Sequence, residues 1–152
     1  MFTADRQVVC VSASKGEILW TKNFPSAPHY LHRDNNYASS TPAADGNGVV
    51  VCWTTPANFV LLALDNNGNE MWRKDYGEYK STWGGAPSPI IVDDVVVIMN
   101  DQLDPRSQAA FLPQGTSEQY INTPGKSFAA ALDRVTGQEI WKVDRTTAAA
   151  GY

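Results

Sequence analysis

The sequence predicts an all-β fold built from repeated four-stranded antiparallel sheets, and three observations predict it. The first is a phrase that occurs three times: Val11-Ser12-Ala13-Ser14-Lys15-Gly16-Glu17-Ile18-Leu19-Trp20, Leu64-Asp65-Asn66-Asn67-Gly68-Asn69-Glu70-Met71-Trp72 and Leu132-Asp133-Arg134-Val135-Thr136-Gly137-Gln138-Glu139-Ile140-Trp141. Each copy is an apolar run, a polar turn with Gly, and a short strand whose Trp lies four residues after that Gly. The second is the interval between the first two Trp residues, 52 positions, which suits a four-stranded unit with its loops. The third is a gradient of polarity from strand to strand within each unit. A phrase repeated at long intervals marks units that cannot bury their own apolar faces and must stack on neighbours.

The chain opens on a strand at 7–12, the third of its unit, and the strand carrying Trp20 follows as the fourth. The next unit is complete. Residues 39–45 form a first strand containing Pro42, the turn Asp45-Gly46-Asn47-Gly48 follows, and strands at 49–55, 58–65 and 70–76 complete the set. The unit after it repeats the order: 86–92 with Pro89, the turn Asp93-Asp94, then 95–101, 127–133 and 139–145. The middle strands are nearly continuous apolar runs, such as Phe59-Val60-Leu61-Leu62-Ala63-Leu64, as suits strands covered on both faces. The fourth strands are half charged, as in Met71-Trp72-Arg73-Lys74-Asp75, which suits an outer edge in water. Pro42 and Pro89 cannot donate to a ladder, so the first strand belongs at the opposite edge, along a central channel. A two-layer sandwich would show cleaner alternation.

Stacked two-sided blades account for all of this. The expected fold is a β-propeller segment with two complete four-stranded antiparallel blades plus part of a third. Residues 1–24 are the tail of one blade, 39–76 a complete blade, 86–145 a complete blade with an insertion at 102–126, and 146–152 the start of a connection to a further blade. Two and a half blades are too few to close a ring of about four to eight. The sequence is therefore read as a fragment of a longer protein, or as a piece that pairs its open edges with another chain.

Composition bounds the function. Of the 152 residues, 43% are hydrophobic and only 18% charged, which argues against disorder. The net charge is −4 and the Lys and Arg residues are scattered, which disfavours a nucleic-acid or anionic-membrane surface. No apolar stretch approaches the roughly 20 residues that span a bilayer. Met1-Phe2-Thr3-Ala4-Asp5 has neither the basic start nor the apolar middle of a signal peptide, although export remains compatible with a leader further upstream. Cys10 and Cys52 stand 42 residues apart inside β-like runs, and they read as small buried hydrophobes, with a disulfide as the alternative.

The Leu-Asp…Thr-Gly…Ile-Trp phrase, fullest at Leu132, Asp133, Thr136, Gly137, Ile140 and Trp141, resembles the repeat of pyrroloquinoline-quinone-type (PQQ-like) β-propellers. The resemblance extends to the non-enzymatic members, among them the outer-membrane-assembly lipoprotein type, and covers roughly residues 5–145 with the Ser40-Thr41-Pro42 and Pro87-Ser88-Pro89 first strands. It implies a structural role for Trp20, Trp72 and Trp141 with Gly16, Gly68 and Gly137, each indole packing on a neighbouring blade's backbone. The first copy departs from the pattern, with Ser12 at the Asp position and Lys15 at the Thr position, and the second is one residue shorter before Gly68. The quinone dehydrogenases that share the repeat use an adjacent-cysteine pair and a calcium set of Glu, Asn and Asp. This sequence has no adjacent cysteines and no matching calcium set.

In an up-and-down blade the short turns share one face and the long connections, at 25–37, 77–85 and 102–126, share the other. Rigid scaffolds carry function on such loops. His29, His32, Asp34 and Asn36 in the first, with Lys80 and Trp83 in the second, form the candidate ligand or partner face. The simpler reading is a polar loop bonding its own backbone and a Trp plugging the gap between blades. The insertion carries two short segments, 107–112 and 119–121, that suit a short helix or a partner-binding flap. Asp65-Asn66-Asn67-Gly68-Asn69 imitates a calcium loop, but its Gly is fourth where such loops have it sixth, so it reads as a hairpin turn. No phosphate loop, nucleophile elbow or zinc-protease helix is present.

The residues therefore assign no catalytic, cofactor-binding or metal site. The expected function is a non-catalytic scaffold that binds protein or ligand in a periplasmic or secreted protein of a bacterial envelope. It carries no cofactor, binds no nucleic acid and has no membrane span; its partner is a protein or the remaining blades of the same propeller, and its isolated chain self-associates. The alternative is a piece of a quinone-dependent dehydrogenase whose active-site residues lie in other blades.

Overall fold

The computed structural model describes residues 6–26, 29, 35–55, 57–81, 83–106, 110, 112 and 114–147. Their strands run in order as β1 (Gln7–Val11), β2 (Ile18–Asn23), β3 (Ala43–Asp45), β4 (Gly48–Thr54), β5 (Phe59–Leu64), β6 (Glu70–Asp75), β7 (Ile90–Val92), β8 (Val95–Asn100), β9 (Phe128–Asp133) and β10 (Glu139–Asp144), with one short helix, α1 (Glu118–Asn122), before β9. All pairings are antiparallel between sequence neighbours, giving a β1-β2 hairpin and two four-stranded sheets, β3-β4-β5-β6 and β7-β8-β9-β10. This is a β-propeller segment with two complete blades and the outer hairpin of a third. The helix covers 119–121, one of the two segments read as a short helix or a partner-binding flap, whereas most of the other, 107–112, lies outside the described residues.

The core explains the apolar runs. β5 is buried along its whole length. Phe59, Leu61 and Ala63 pack with Val96, Ile98, Phe128 and Leu132 of the following blade. Val60, Leu62 and Leu64 turn the other way, onto Val8, Trp20 and Phe24 of the hairpin unit. A strand between two blades needs hydrophobes at every position, because both of its faces lose water. The last blade differs. Its inner face is covered, but β10 is exposed throughout, and Ile90, Val92, Met99, Ile140 and Val143 are each at least 53% exposed.

Two expectations need correction. The first strands are shorter than the sequence suggested: Ala43–Asp45 where 39–45 was expected, and Ile90–Val92 where 86–92 was expected. The prolines are the reason. Pro42, Pro87 and Pro89 offer no amide, so the segments leading into β3 and β7 bond to each other and not to their own ladders. The Ser40 hydroxyl donates to the Pro87 carbonyl, and the Thr41 amide donates to Ser88 Oγ at 2.9 Å. The cysteines are free thiols, Cys52 fully buried and Cys10 only half-buried, so the buried-hydrophobe reading holds for Cys52 alone.

Register shifts recur at one place in each unit. Trp20 lies opposite Cys10 and Ile18 opposite Val11, so Leu19 is the extra residue. Met71 and Ile140 are extra in the same way before Trp72 and Trp141. Such a bulge turns the following side chain out of the regular alternation.

Position in this stack sets the cost of a substitution. Leu61→Ala, between two blades, is expected to lose about 2–5 kcal/mol, whereas Ile140→Ala on the open face stays within about 0.5 kcal/mol. Urea or thermal unfolding of the two variants measures the contrast.

Candidate functional site: blade joints and the long-loop face

Of the three Trp residues of the repeated phrase, Trp20 and Trp72 occupy joints between blades. Trp20 Nε1 donates to the Asn66 carbonyl at 2.8 Å, and its ring lies against Gly68, where a Cβ would come within 3.0 Å of ring carbons. Trp72 repeats the arrangement one blade on, donating to the Arg134 carbonyl at 3.0 Å and covering Gly137, whose Cβ would meet the ring at 2.6 Å. Gly68 and Gly137 have φ of +77° and +69°, so both the conformation and the space exclude a side chain. Trp141, on the open end, is 44% exposed against 8% for Trp72.

The turns that present these carbonyls are held by their first polar residue. Asp65 Oδ1 accepts from the Asn67 and Asn69 amides at 2.8 Å each, while Oδ2 accepts from Asn69 Nδ2 at 3.0 Å. Those bonds, the Asn69 amide foremost, keep its carboxyl below the usual range. A carboxylate engaged in this way is a turn cap, in keeping with the hairpin reading of this segment. Asp133 does the same for the Thr136 and Val135 amides at 2.7 and 3.0 Å. Ser12 takes the place with one longer bond, 3.3 Å from the Lys15 amide.

One joint also carries an ion pair. The Arg134 side chain is fully buried, and its Nε and Nη2 donate to Asp45 at 2.9 and 2.8 Å, joining the β9–β10 turn to the β3–β4 turn of the preceding blade. These bonds hold the Asp45 carboxyl below its ordinary range. Bidentate geometry is the strong form of this contact, and losing one partner would leave a buried charge uncompensated.

On the long-loop face, His32 and Asp34 lie outside the described residues. His29 is half-buried. Its amide donates to the Tyr37 hydroxyl at 3.0 Å, the same hydroxyl donates to the His29 carbonyl at 2.8 Å, and the two rings lie 5.0 Å apart. Arg6, which the sequence reading did not single out, is buried beside them. Its Nη2 donates to His29 Nδ1 at 3.2 Å and its guanidinium lies 4.5 Å over the Tyr37 ring. Burial lowers its pKa, with Tyr37 working in the opposite direction. Asn36 bonds locally, its Oδ1 accepting from the Ala38 amide at 2.7 Å. Trp83 is half-buried, its carbonyl accepting from Asn35 Nδ2 at 2.7 Å. Lys80 departs from the expected outward cation. It is 2% exposed, its Nζ donates to the Thr123 carbonyl at 2.7 Å, and its amide donates to Gln102 Oε1 at 3.0 Å, so it anchors the insertion.

The same face opens into a cleft of about 360 Å³ between the β1-β2 hairpin and the first complete blade. Phe24 stacks on Trp53 at 5.3 Å, the Arg73 guanidinium lies 5.6 Å over Phe24, and Asn58 Nδ2 donates to Asp75 at the rim. The sequence signal for this cleft was a Trp ending an otherwise aliphatic strand next to a loop. Among the described residues no three His, Cys, Asp or Glu side chains gather as a metal set.

The profile of the outer membrane protein assembly factor BamB family matches residues 1–141. The chain belongs to this family. Solved structures similar to this BamB-family chain include a europium-containing methanol dehydrogenase, with a TM-score of 0.58, 14% identity, and coverage of 93% of this chain and 22% of that one. A quinohemoprotein alcohol dehydrogenase, ADHIIG from Pseudomonas putida HK5, gives 0.59 and 18% identity over 94% of this chain and 18% of its own. BamB from Moraxella catarrhalis gives 0.46 and 15% identity, covering 93% of this chain and 47% of that one. The two dehydrogenases share the propeller fold, and the chain spans about a fifth of their length. A search of curated proteins finds no match.

The Asp45–Arg134 pair predicts a pH dependence. Its carboxyl pKa is depressed in the folded state, so the pair's contribution is full above the unfolded value of about 3.9 and is lost as pH falls through the lowered one. Asp45→Asn is expected to lower the melting temperature at pH 7, with the gap from wild type closing under acid. Asp45 is 23% exposed, which keeps the loss under the roughly 3–5 kcal/mol of a fully buried pair. Calorimetry from pH 7 to 2 checks both points.

Proposed function

We propose that this chain is a non-catalytic propeller scaffold that binds protein, working in the periplasm or as a secreted part of a bacterial envelope without a bound cofactor. The observation that carries the reading is the match of the assembly-factor family over residues 1–141; the last blade offers an apolar face, with Trp141, Ile140, Val143 and Met99 exposed, that suits a protein partner or further blades. Apolar side chains gathered on one face mark a surface that is covered in use. The family description, an assembly factor, supports a function exercised through such surfaces. The long-loop face, with His29, His32, Asp34, Asn36, Lys80 and Trp83, is a second candidate partner surface. Of these, the Lys80 side chain is engaged inside and does not face a partner.

A second reading has its own support, the likeness to two dehydrogenases at TM-scores of 0.58 and 0.59. On that reading the chain is part of a quinone-dependent enzyme whose chemistry resides in other blades. The thiols weigh against chemistry within this part. Burial pushes Cys52 up to about 12, so it stays protonated at neutral pH, and Cys10 is on another unit.

Titration with pyrroloquinoline quinone and calcium, followed by dye-linked alcohol oxidation, tests the choice. The scaffold reading expects no turnover, and turnover that requires both additions overturns it. The surface itself is tested with the Ile140→Asp, Val143→Asp double variant. Binding of a hydrophobic dye such as ANS is expected to fall while the circular dichroism of the β-sheet is unchanged.

A further inference from the structure

The insertion before β9 returns to its blade through a limb, residues 114–125, that buries little of itself. Residues 117–119 and 122–124 are exposed, and Ile121 is half-buried. A segment with so little apolar contact depends on its polar ties. The Gly125 amide donates to the Leu103 carbonyl at 2.9 Å, and the Leu103 amide donates to the Lys80 carbonyl at 2.9 Å. The end of the limb, the end of the strand and the connection from the preceding blade therefore meet at one neck. A side chain at Gly125 has no room there, because its Cβ would come within 2.4 Å of Gln102 Cβ. Lys80 reaches past the neck to the limb itself. Its Nζ donates to the Thr123 carbonyl at 2.7 Å, just beyond the C-terminus of α1, where a cation meets carbonyls that a helix leaves unpaired.

On the blade side the neck is fixed. The Gln102 amide donates to Ser127 Oγ at 2.8 Å, its Oε1 accepts from the Lys80 amide at 3.0 Å, and its Nε2 donates to the Glu78 carbonyl at 3.2 Å. The Lys80 backbone is thus held at both its amide and its carbonyl, while its ammonium sits on a flexible stem with a second acceptor in reach. Glu78 Oε1 lies 3.9 Å from Nζ, and the Glu78 side chain is 57% exposed where that of Lys80 is 3% exposed. The two acceptors differ in kind. The Thr123 carbonyl holds the ammonium out of water at the cost of its hydration, and Glu78 offers a full opposite charge in water, where such a pair gains little. Each position gives up what the other provides, so neither wins by a wide margin.

We propose that Lys80 is a two-position latch. On the Thr123 carbonyl it holds the returning limb against the neck, and on Glu78 it releases that limb as a unit while the blades stay folded. The limb belongs to the long-loop face, so the latch sets how much of that face stands open to a partner. It operates in the same way in a scaffold and in a piece of an enzyme, and does not depend on that choice.

Native-state hydrogen exchange of the full chain, read residue by residue, tests this. The Gly125 amide reports the neck and the amides of β5 report the blades, with circular dichroism checking the fold of each variant. Lys80→Met keeps the stem and removes the donor. Gly125 is expected to exchange at least about tenfold faster, as suits the loss of a hydrogen bond from a charged group, while β5 is unchanged. Glu78→Gln removes the competing charge and is expected to act in the opposite direction, slowing Gly125 by about twofold or more. Added salt screens the exposed carboxylate, so it slows exchange at Gly125 in the wild type and leaves the Glu78→Gln variant unaffected. Unchanged Gly125 exchange in Lys80→Met, β5 amides that quicken together with it, a Glu78→Gln variant no slower than wild type, or a wild type indifferent to salt overturns the proposal. Should Lys80→Met fail to fold, Glu78→Gln and the salt series decide alone, since both leave the buried side chain intact.

Discussion

The structure depends on the seating of an indole on a glycine turn. A propeller blade is a sheet with two apolar faces, and it is stable only when each face lies against a neighbour at a fixed distance and angle. Trp20 and Trp72 fix both through one broad ring and one donor: the ring covers a backbone that has no Cβ, and Nε1 reaches a carbonyl in the same turn. Each part of the repeated phrase serves this contact. The Asp or Ser at its start holds the turn, the Gly clears the space, and the bulged residue before the Trp redirects the ring toward the next blade.

Electrostatics adds to this joint without replacing it. Arg134 and Asp45 reinforce the contact between the two complete blades, while the joint to the hairpin has Asn66, whose Nδ2 donates to the Gly46 carbonyl of its own blade at 2.8 Å. The hydrophobic seating is common to both joints and the polar supplement differs. A repeat protein can thereby keep one packing rule and still distinguish one neighbour from another. The short-turn face is where these differences lie, and the long-loop face is left to the insertion and to the His29–Tyr37–Arg6 cluster.

Much of the fold was legible because blade strands carry simple signals. Double-sided burial writes itself as a continuous apolar run in β5, and an outer edge writes itself as a half-charged strand in β6. The first strands were less legible. Pro42 and Pro89 marked an edge correctly, but the length of ladder that survives beside them depends on Ser40 and Thr41 bonding across to Pro87 and Ser88. On the long-loop face, Lys80 read as a surface cation and proved to be an internal anchor, because a long side chain's destination is set by a loop 43 residues away. Arg6 gave no local pattern to find, and the Phe24–Trp53 cleft gave only a Trp near the end of an aliphatic strand.

By itself the sequence determined the unit: four strands, their order, which ones are covered on both faces, and where the Trp and Gly of each joint fall. These follow from local periodicity and from the fixed conformational limits of Gly and Pro, which act within a few residues. Only the tertiary structure decided which partners those residues meet. Trp72 is met by Gly137 and Arg134, residues more than 60 positions away, whereas Trp141, in the corresponding place of its own repeat, stands exposed. Two copies of one repeated phrase thus have opposite surroundings, because burial belongs to the stack of blades and not to the strand.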